Sequence, residues 1–263
     1  LPFIVKLLLG GLFLLGLDAH SALASEPVIY GDNLYAPDLV KNEDAWYCYY
    51  GGWKTSGQQF DHIYLGITTS TSVTGPWTEQ KIISQGEYRH VNDPTIHKEK
   101  DHWVMLYTAA GNVGSGAQAW YRDWINYSTS RDGITWTPDA GSSSTEIKLT
   151  DPLKVLHGKS LDSIARPSLV KDGSKWKLWF DGHSRGGNLY SYLAESTGSM
   201  PDNFELVHQY PQVKNFPTFM EPDVVRRSDG TFAAVVQMGY KKLQYGTSID
   251  GVNFKLEDIL HAK

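Results

Sequence analysis

The chain has 263 residues, 41% hydrophobic and 20% charged, with a formal net charge of −5. That length admits one large all-β domain or two small ones, and interleaved charges leave no basic face for nucleic acid. Cys48 is the only cysteine, so no internal disulfide can form, and no His or Cys spacing matches a zinc site.

Residues Leu1 to Ala24 read as a targeting leader. An apolar run from Ile4 to Leu17 precedes Ala22-Leu23-Ala24, a small-x-small cleavage signal. The run is short for a membrane span. The expectation is a signal peptide over 1–24 and a bacterial protein, periplasmic or secreted, without a membrane anchor after cleavage.

From Ser25 onward there is no helical period of useful length. One phrase recurs four times: Tyr35-Ala36-Pro37-Asp38-Leu39-Val40, Asn92-Asp93-Pro94-Thr95-Ile96-His97, Ala165-Arg166-Pro167-Ser168-Leu169-Val170 and Met220-Glu221-Pro222-Asp223-Val224-Val225. Each copy is followed by a second apolar run, beginning at Trp46, Trp103, Trp176 and Phe232. Third runs start at Ile63, Ile125, Leu189 and Leu243. Short strands repeating in this way predict an all-β chain, a β-propeller over 25–263 with four visible blades. The fourth repeat ends close to Lys263, so either the ring has four blades or a fifth has been lost from the chain.

Asp132-Gly133, Asp172-Gly173, Asp229-Gly230 and Asp250-Gly251 lie between apolar runs and read as hairpin turns. Gly- and Ser-rich stretches over Gly111 to Asp123 and Thr137 to Lys159 read as insertions. Aromatics make up 13% of the chain, with nine Trp and fifteen Tyr. Most fall inside strand runs, where sheets favour them; others are available to stack on sugar rings.

In a propeller, the start of each innermost strand and the loop between second and third strands share one face. Residues there converge on a funnel. The pre-proline position varies as Ala36, Asp93, Arg166 and Glu221, which suits a site better than a packing rule. The innermost strands add Asp38, Asn92 and Asp223. The loops add Trp53, Asp61, His62, Trp120, Arg122, Asp123, Asp181, His183, Arg185 and Tyr240, and His90 lies just before an innermost strand. Glycoside hydrolysis needs two carboxyl groups, one protonated and one ionised. Neighbouring carboxylates raise one another's pKa, while an Arg keeps a chosen one ionised.

These phrases resemble those of the five-bladed propeller glycoside hydrolases, families 43 and 32 and their relatives. Tyr35 to Asp38 resembles the Trp-Ala-Pro-Asp phrase of family 43. Asn92 to Pro94 is similar to the phrase carrying a catalytic or pKa-tuning Asp, and Glu221-Pro222 to the one carrying the general acid. The resemblance implies a five-bladed type of ring. It implies catalytic roles for Glu221 as acid, Asp93 as base or electrostatic partner, and Asp38. The funnel reading adds Arg166, Trp53, Asp61, His90, Asp123, His183 and Asp223 as substrate-binding. A second pre-proline Asp is absent, since Ala36 and Arg166 stand in those places. Two functions stay open: a monomeric, exported hydrolase acting on an oligo- or polysaccharide, and a non-catalytic carbohydrate-binding propeller. Neither needs a metal or cofactor.

Overall fold

In a computed structural model of the chain, residues 29, 33–54, 60–68, 71–73, 75–151, 160–213, 216–238 and 242–261 are described. The expected leader at 1–24 and Tyr240 lie outside them. Blade one comprises β1 (Asn33–Asn42), β2 (Ala45–Trp53), β3 (His62–Thr68) and β4 (Trp77–Ile83). Blade two comprises β5 (His90–Lys98), β6 (Trp103–Val113), β7 (Trp120–Ser130) and β8 (Trp136–Thr137). The short β9 (Lys148–Thr150) precedes blade three, which holds β10 (Ser163–Asp172), β11 (Lys175–His183), β12 (Tyr190–Ser196) and β13 (Asn203–Gln209). A small hairpin, β14 (Gln212–Val213) and β15 (Phe216–Pro217), leads to blade four: β16 (Met220–Arg226), β17 (Phe232–Met238), β18 (Lys242–Ser248) and β19 (Lys255–His261). Among the described residues there is no α-helix, only short 3-10 turns at Gly116–Gln118 and Ser143–Thr145.

Each blade is an antiparallel sheet whose strands lie in chain order, as a propeller requires. The proline phrases form β1, β5, β10 and β16, the strands that pack on one another between blades. Described residues of both insertions form strands. β6 and β7 run on as a long hairpin that pairs Gly111 with Arg122 and Val113 with Trp120. Within Thr137 to Lys159, β9 joins blade three beside β13 as a parallel outer strand.

Blades bury both faces of their middle strands by stacking on their neighbours, so these strands read as continuous apolar runs. Tyr49, Ile63 and Leu65 of blade one meet Trp103, Met105 and Tyr107 of blade two. Val104 and Leu106 meet Trp176, Leu178 and Phe180. Trp179 and Leu193 meet Val224, Phe232 and Val236. Each such fully buried side chain contributes roughly 1.5–3 kcal/mol relative to leaving it in water.

The proline phrase has one geometry in all four blades. A proline cannot donate to a ladder, so the pairing breaks there as a bulge. The breaks fall between Tyr35 and Asp38, Asn92 and Thr95, Ala165 and Ser168, and Met220 and Asp223. The pre-proline residue takes a left-handed φ in every copy: Ala36 at 49°, Asp93 at 48°, Arg166 at 56° and Glu221 at 46°. None of them is glycine, so the conformation is imposed by the surrounding structure.

Two relays of hydrogen bonds tie one bulge to the next blade. In the first, the backbone N–H two residues past a proline donates to the post-proline side chain of the preceding blade. Ile96 donates to Asp38 Oδ2 at 2.5 Å, Leu169 to Thr95 Oγ1 at 3.1 Å and Val224 to Ser168 Oγ at 2.9 Å. In the second, the pre-proline N–H donates to the second strand of the preceding blade. Arg166 donates to Thr108 Oγ1 at 2.8 Å and Glu221 to Asp181 Oδ2 at 3.0 Å.

Candidate active site

A left-handed pre-proline residue at a bulge leaves the sheet's alternation, and its side chain is free to face the funnel. Asp93 and Arg166 line a cavity of about 360 Å³ together with Trp53, Asp61, His90, Asn92, Thr108, Tyr121 and Asp123. Glu221 joins them through Arg166, whose Nε stands 3.2 Å from Glu221 Oε1. Arg166 Nη1 also lies 3.7 Å from Asp181 Oδ2. One guanidinium thus sits among the carboxylates of Asp93, Asp123, Asp181 and Glu221, and their field raises its pKa against the opposing effect of burial.

Burial pushes Asp93 up to about 6, although the charge of Arg166 and a hydrogen bond with Thr108 pull the other way. Asp181 is fully buried. Desolvation drives it to about 6 as well, against hydrogen bonds from Ser191 and the Glu221 backbone. Ser191 Oγ donates to Asp181 Oδ1 at 2.5 Å, which with the Glu221 N–H occupies both carboxyl oxygens. Asp181 is therefore a positioning residue that holds the Glu221 bulge. Asp123 is raised by burial and exchanges hydrogen bonds with Ser163, whose Oγ lies 3.1 Å from Asp123 Oδ2.

On the blade-one side a second polar cluster closes the cavity. Tyr35 donates its hydroxyl to Asp61 Oδ2. Asn92 Nδ2 donates to the Tyr35 oxygen at 3.0 Å, and His90 Nδ1 lies 3.0 Å from Asp61 Oδ2. Burial and the Asp61 charge push the Tyr35 phenol far above its ordinary value, so it stays a donor. The rings of Phe60 and Tyr121 flank His90 at 6.4 and 6.3 Å.

The structure therefore brings together Asp93, Arg166, Trp53, Asp61, His90 and Asp123, with Glu221 attached through Arg166. His183 lies close enough to Asp123 for its charge to lower that carboxyl, and its Nδ1 is 3.0 Å from the Ser184 carbonyl. Asp38 and Asp223 are placed differently. Asp38 accepts the Ile96 N–H in the first relay, and both residues occupy the post-proline position, away from the lining of the cavity. Asp223 lies close enough to raise the pKa of Asp38. Thr108 and Tyr35 are site residues whose roles sequence reasoning missed, and Asp181 was one loop candidate among many. The available signal was a polar residue opposite the proline phrase: Thr108 pairs with Asn92 and Asp181 with Ala165. Among the described residues no cluster of His, Cys, Asp and Glu could hold a metal ion.

No protein-family description and no curated protein matches the chain. Solved structures do. A family 117 glycoside hydrolase of the marine bacterium Zobellia galactanivorans superposes with a TM-score of 0.57 at 17% identity, over 88% of this chain and 69% of that one. A thermostable family-43 glycoside hydrolase gives 0.58 at 12% identity, over 89% and 76%. A Trypanosoma rangeli sialidase gives 0.56 at 12% identity over 87% of this chain, which spans only 38% of the sialidase. These similarities show a fold shared with propeller glycoside hydrolases; at such identities they show the fold alone.

Proposed function

We propose that this is an exported, glycoside hydrolase-like propeller that cleaves glycosidic bonds of an oligo- or polysaccharide, with Asp93 and Glu221 as its reacting pair. The observation behind the reading is that three blades aim Asp93, Arg166 and Glu221 from equivalent bulges toward one funnel. Asp93, held at about 6, is a stronger base than an ordinary carboxylate and is still ionised at neutral pH. It activates the attacking water or stabilises the positive charge that develops on the sugar ring. Glu221 donates its proton to the leaving oxygen. In the free site the Arg166 Nε stands 3.2 Å from Glu221 Oε1, so donation requires the substrate to draw Arg166 away. The carboxylates of Asp93, Asp123 and Asp181 give the guanidinium other partners. Trp53, His90, Asp61 and Tyr121 form the wall that a sugar would meet. Export rests on the leader reading, and a five-bladed ring on the proline phrases.

A second reading has its own support. The blade-one bulge presents Ala36, a methyl group where a second carboxylate would complete the site, and the Arg166 guanidinium already occupies the Glu221 carboxyl. A funnel of this kind can hold a sugar without cutting it. The test is turnover of a panel of oligosaccharides by wild type and Glu221→Gln. Loss of a general acid costs about 10²–10⁴-fold in rate. Turnover unchanged in Glu221→Gln rejects the acid assignment; tight binding by wild type with no cleavage selects the binding protein.

A further inference from the structure

A third tie between blades runs beside the two relays, and it is made differently at its two occurrences. Asp61 and Asp123 hold matching places on blades one and two. Each precedes the third-strand residue, His62 or Trp124, that pairs with Gly52 or Ala109, the partners of Leu34 and Val91. Each bonds the residue three places before the next blade's pre-proline position. At the blade-two-to-three seam that residue is Ser163, whose Oγ accepts the Asp123 N–H at 3.0 Å and donates to Asp123 Oδ2 at 3.1 Å. At the blade-one-to-two seam it is His90, whose Nδ1 lies 3.3 Å from the Asp61 N and 3.0 Å from Asp61 Oδ2. A serine is enough to tie such a seam, so the imidazole of His90 exceeds what the scaffold needs.

One imidazole nitrogen cannot accept the Asp61 N–H and donate to the carboxylate at once. The shorter contact, to a charged oxygen, is the stronger, and it places the proton on Nδ1. Nε2 is then the lone-pair nitrogen of the neutral ring, and among the described residues it has no hydrogen-bond partner. Tyr35 donates to the same Asp61 oxygen and Asn92 donates to Tyr35, so the carboxylate that orients His90 is itself fixed. Phe60 and Tyr121 flank the His90 ring, which lines the cavity and keeps 17% of its side-chain surface exposed. An Asp that takes Nδ1–H and leaves Nε2 available is the arrangement of a general base. It stands on the side of the cavity where the bulge ends in Ala36.

We propose that His90, oriented by Asp61, is the general base of the hydrolysis and supplies on the blade-one side what Ala36 cannot. This rests on the hydrolase reading of the site. Water held by His90 Nε2 attacks the anomeric carbon: its oxygen bonds to that carbon and one of its protons passes to Nε2. The glycosidic C–O bond breaks, its electron pair stays on the leaving oxygen, and that oxygen takes the proton of Glu221. Solvent then carries a proton from His90 back to Glu221, which restores both groups. Asp93 keeps the second of its two roles, a charge facing the sugar ring as it becomes positive. A single displacement of this kind inverts the anomeric configuration. Asp61 is a positioning residue, since it acts only through the imidazole.

The experiment gives His90 the residue that suffices at the next seam, His90→Ser, and follows an oligosaccharide that the wild type cleaves. The variant should melt as the wild type does, because a hydroxyl can rebuild the tie to Asp61. Its kcat should fall about 10²–10⁴-fold. Azide should rescue it by forming the inverted glycosyl azide, read by mass spectrometry and NMR, because azide attacks carbon without giving up a proton. Turnover by His90→Ser at the wild-type rate overturns the proposal, and so does a loss that azide does not repair. A wild-type product of retained configuration also overturns it, while leaving the hydrolase reading in place. Only a wild type that cleaves none of the panel removes that reading, and this role falls with it. His90→Asn, which can still donate to Asp61 but carries no basic nitrogen, repeats the measurement if the serine variant fails to fold.

Discussion

At the scale of single residues, Arg166 decides how the carboxylates share protons. Burial raises Asp93, and the opposing field of Arg166 helps to hold that rise to about 6. If Asp93 is the base, kcat/KM climbs with pH through about 6 as Asp93 ionises. Arg166→Met removes the field that favours the charged form, so this acidic limb should move to higher pH; the pH–rate profile of the variant measures it. A limb that stays in place would assign the titration to another group. Asp38 offers a contrasting case. Burial, reinforced by the Asp223 charge, pushes it up to about 7 from an ordinary 3.8. A carboxyl whose folded pKa is raised stabilises the fold below its unfolded pKa and loses that contribution as pH rises through the folded value. Asp38→Asn keeps an oxygen for the Ile96 N–H and cannot ionise. The variant should therefore melt a few degrees higher than wild type at pH 8 and equal it at pH 4, by calorimetry.

At the scale of elements, two turns recur with one design. Ser130 Oγ and Asp132 Oδ1 share the N–H groups of Gly133, Ile134 and Thr135, and Ser248 and Asp250 repeat the pattern at Gly251, Val252 and Asn253. Burial alone would raise Asp132, but the Thr135 and Ile134 N–H groups outweigh it and hold the carboxyl near 2. Gly133, at a φ of +74°, lies where a Cβ would stand 3.0 Å from the Trp103 ring, so only glycine fits without displacement. Asp132→Ala strips the turn of its acceptor, and since water can reach the freed N–H groups it should cost about 0.5–1.5 kcal/mol, read as a lower urea midpoint with unchanged slope. These turns were legible in the sequence because Asp-Gly followed by an aromatic is a local code. The long β6–β7 hairpin was not. Gly111, Gly114 and Gly116 suggest a loop, and only the pairing of Gly111 with Arg122 across the sheet reveals two strands.

At the scale of the whole molecule, the fourfold proline phrase makes the blades readable in the sequence itself. It also pointed to Asp93, Arg166 and Glu221, because variation at a repeated position is visible along a chain. It did not separate them from Asp38 and Asp223. Positions one residue apart face different surroundings only because the bulge turns the strand between them. The partners Thr108 and Asp181 belong to neighbouring sheets, and such contacts depend on how blades stack rather than on local pattern.

The stacking also sets how stability is distributed among the described blades. Blades two and three are each gripped on both faces, whereas blade four packs on blade three alone, through the cluster around Trp179 and Phe232. In this 263-residue chain, blade four should open first in native-state hydrogen exchange, with amides of β16–β18 less protected than those of β5–β7 and β10–β12. The Val224 N–H to Ser168 Oγ bond, 2.9 Å and buried, is one of the few polar ties across that seam. Ser168→Ala leaves that N–H without its acceptor, at a cost of about 1–3 kcal/mol. The loss should appear as faster exchange throughout blade four, with the blade-one-to-two seam around Tyr49 and Met105 unchanged. Equal acceleration in every blade would mean that the ring opens as one cooperative unit and that the relay does not act seam by seam.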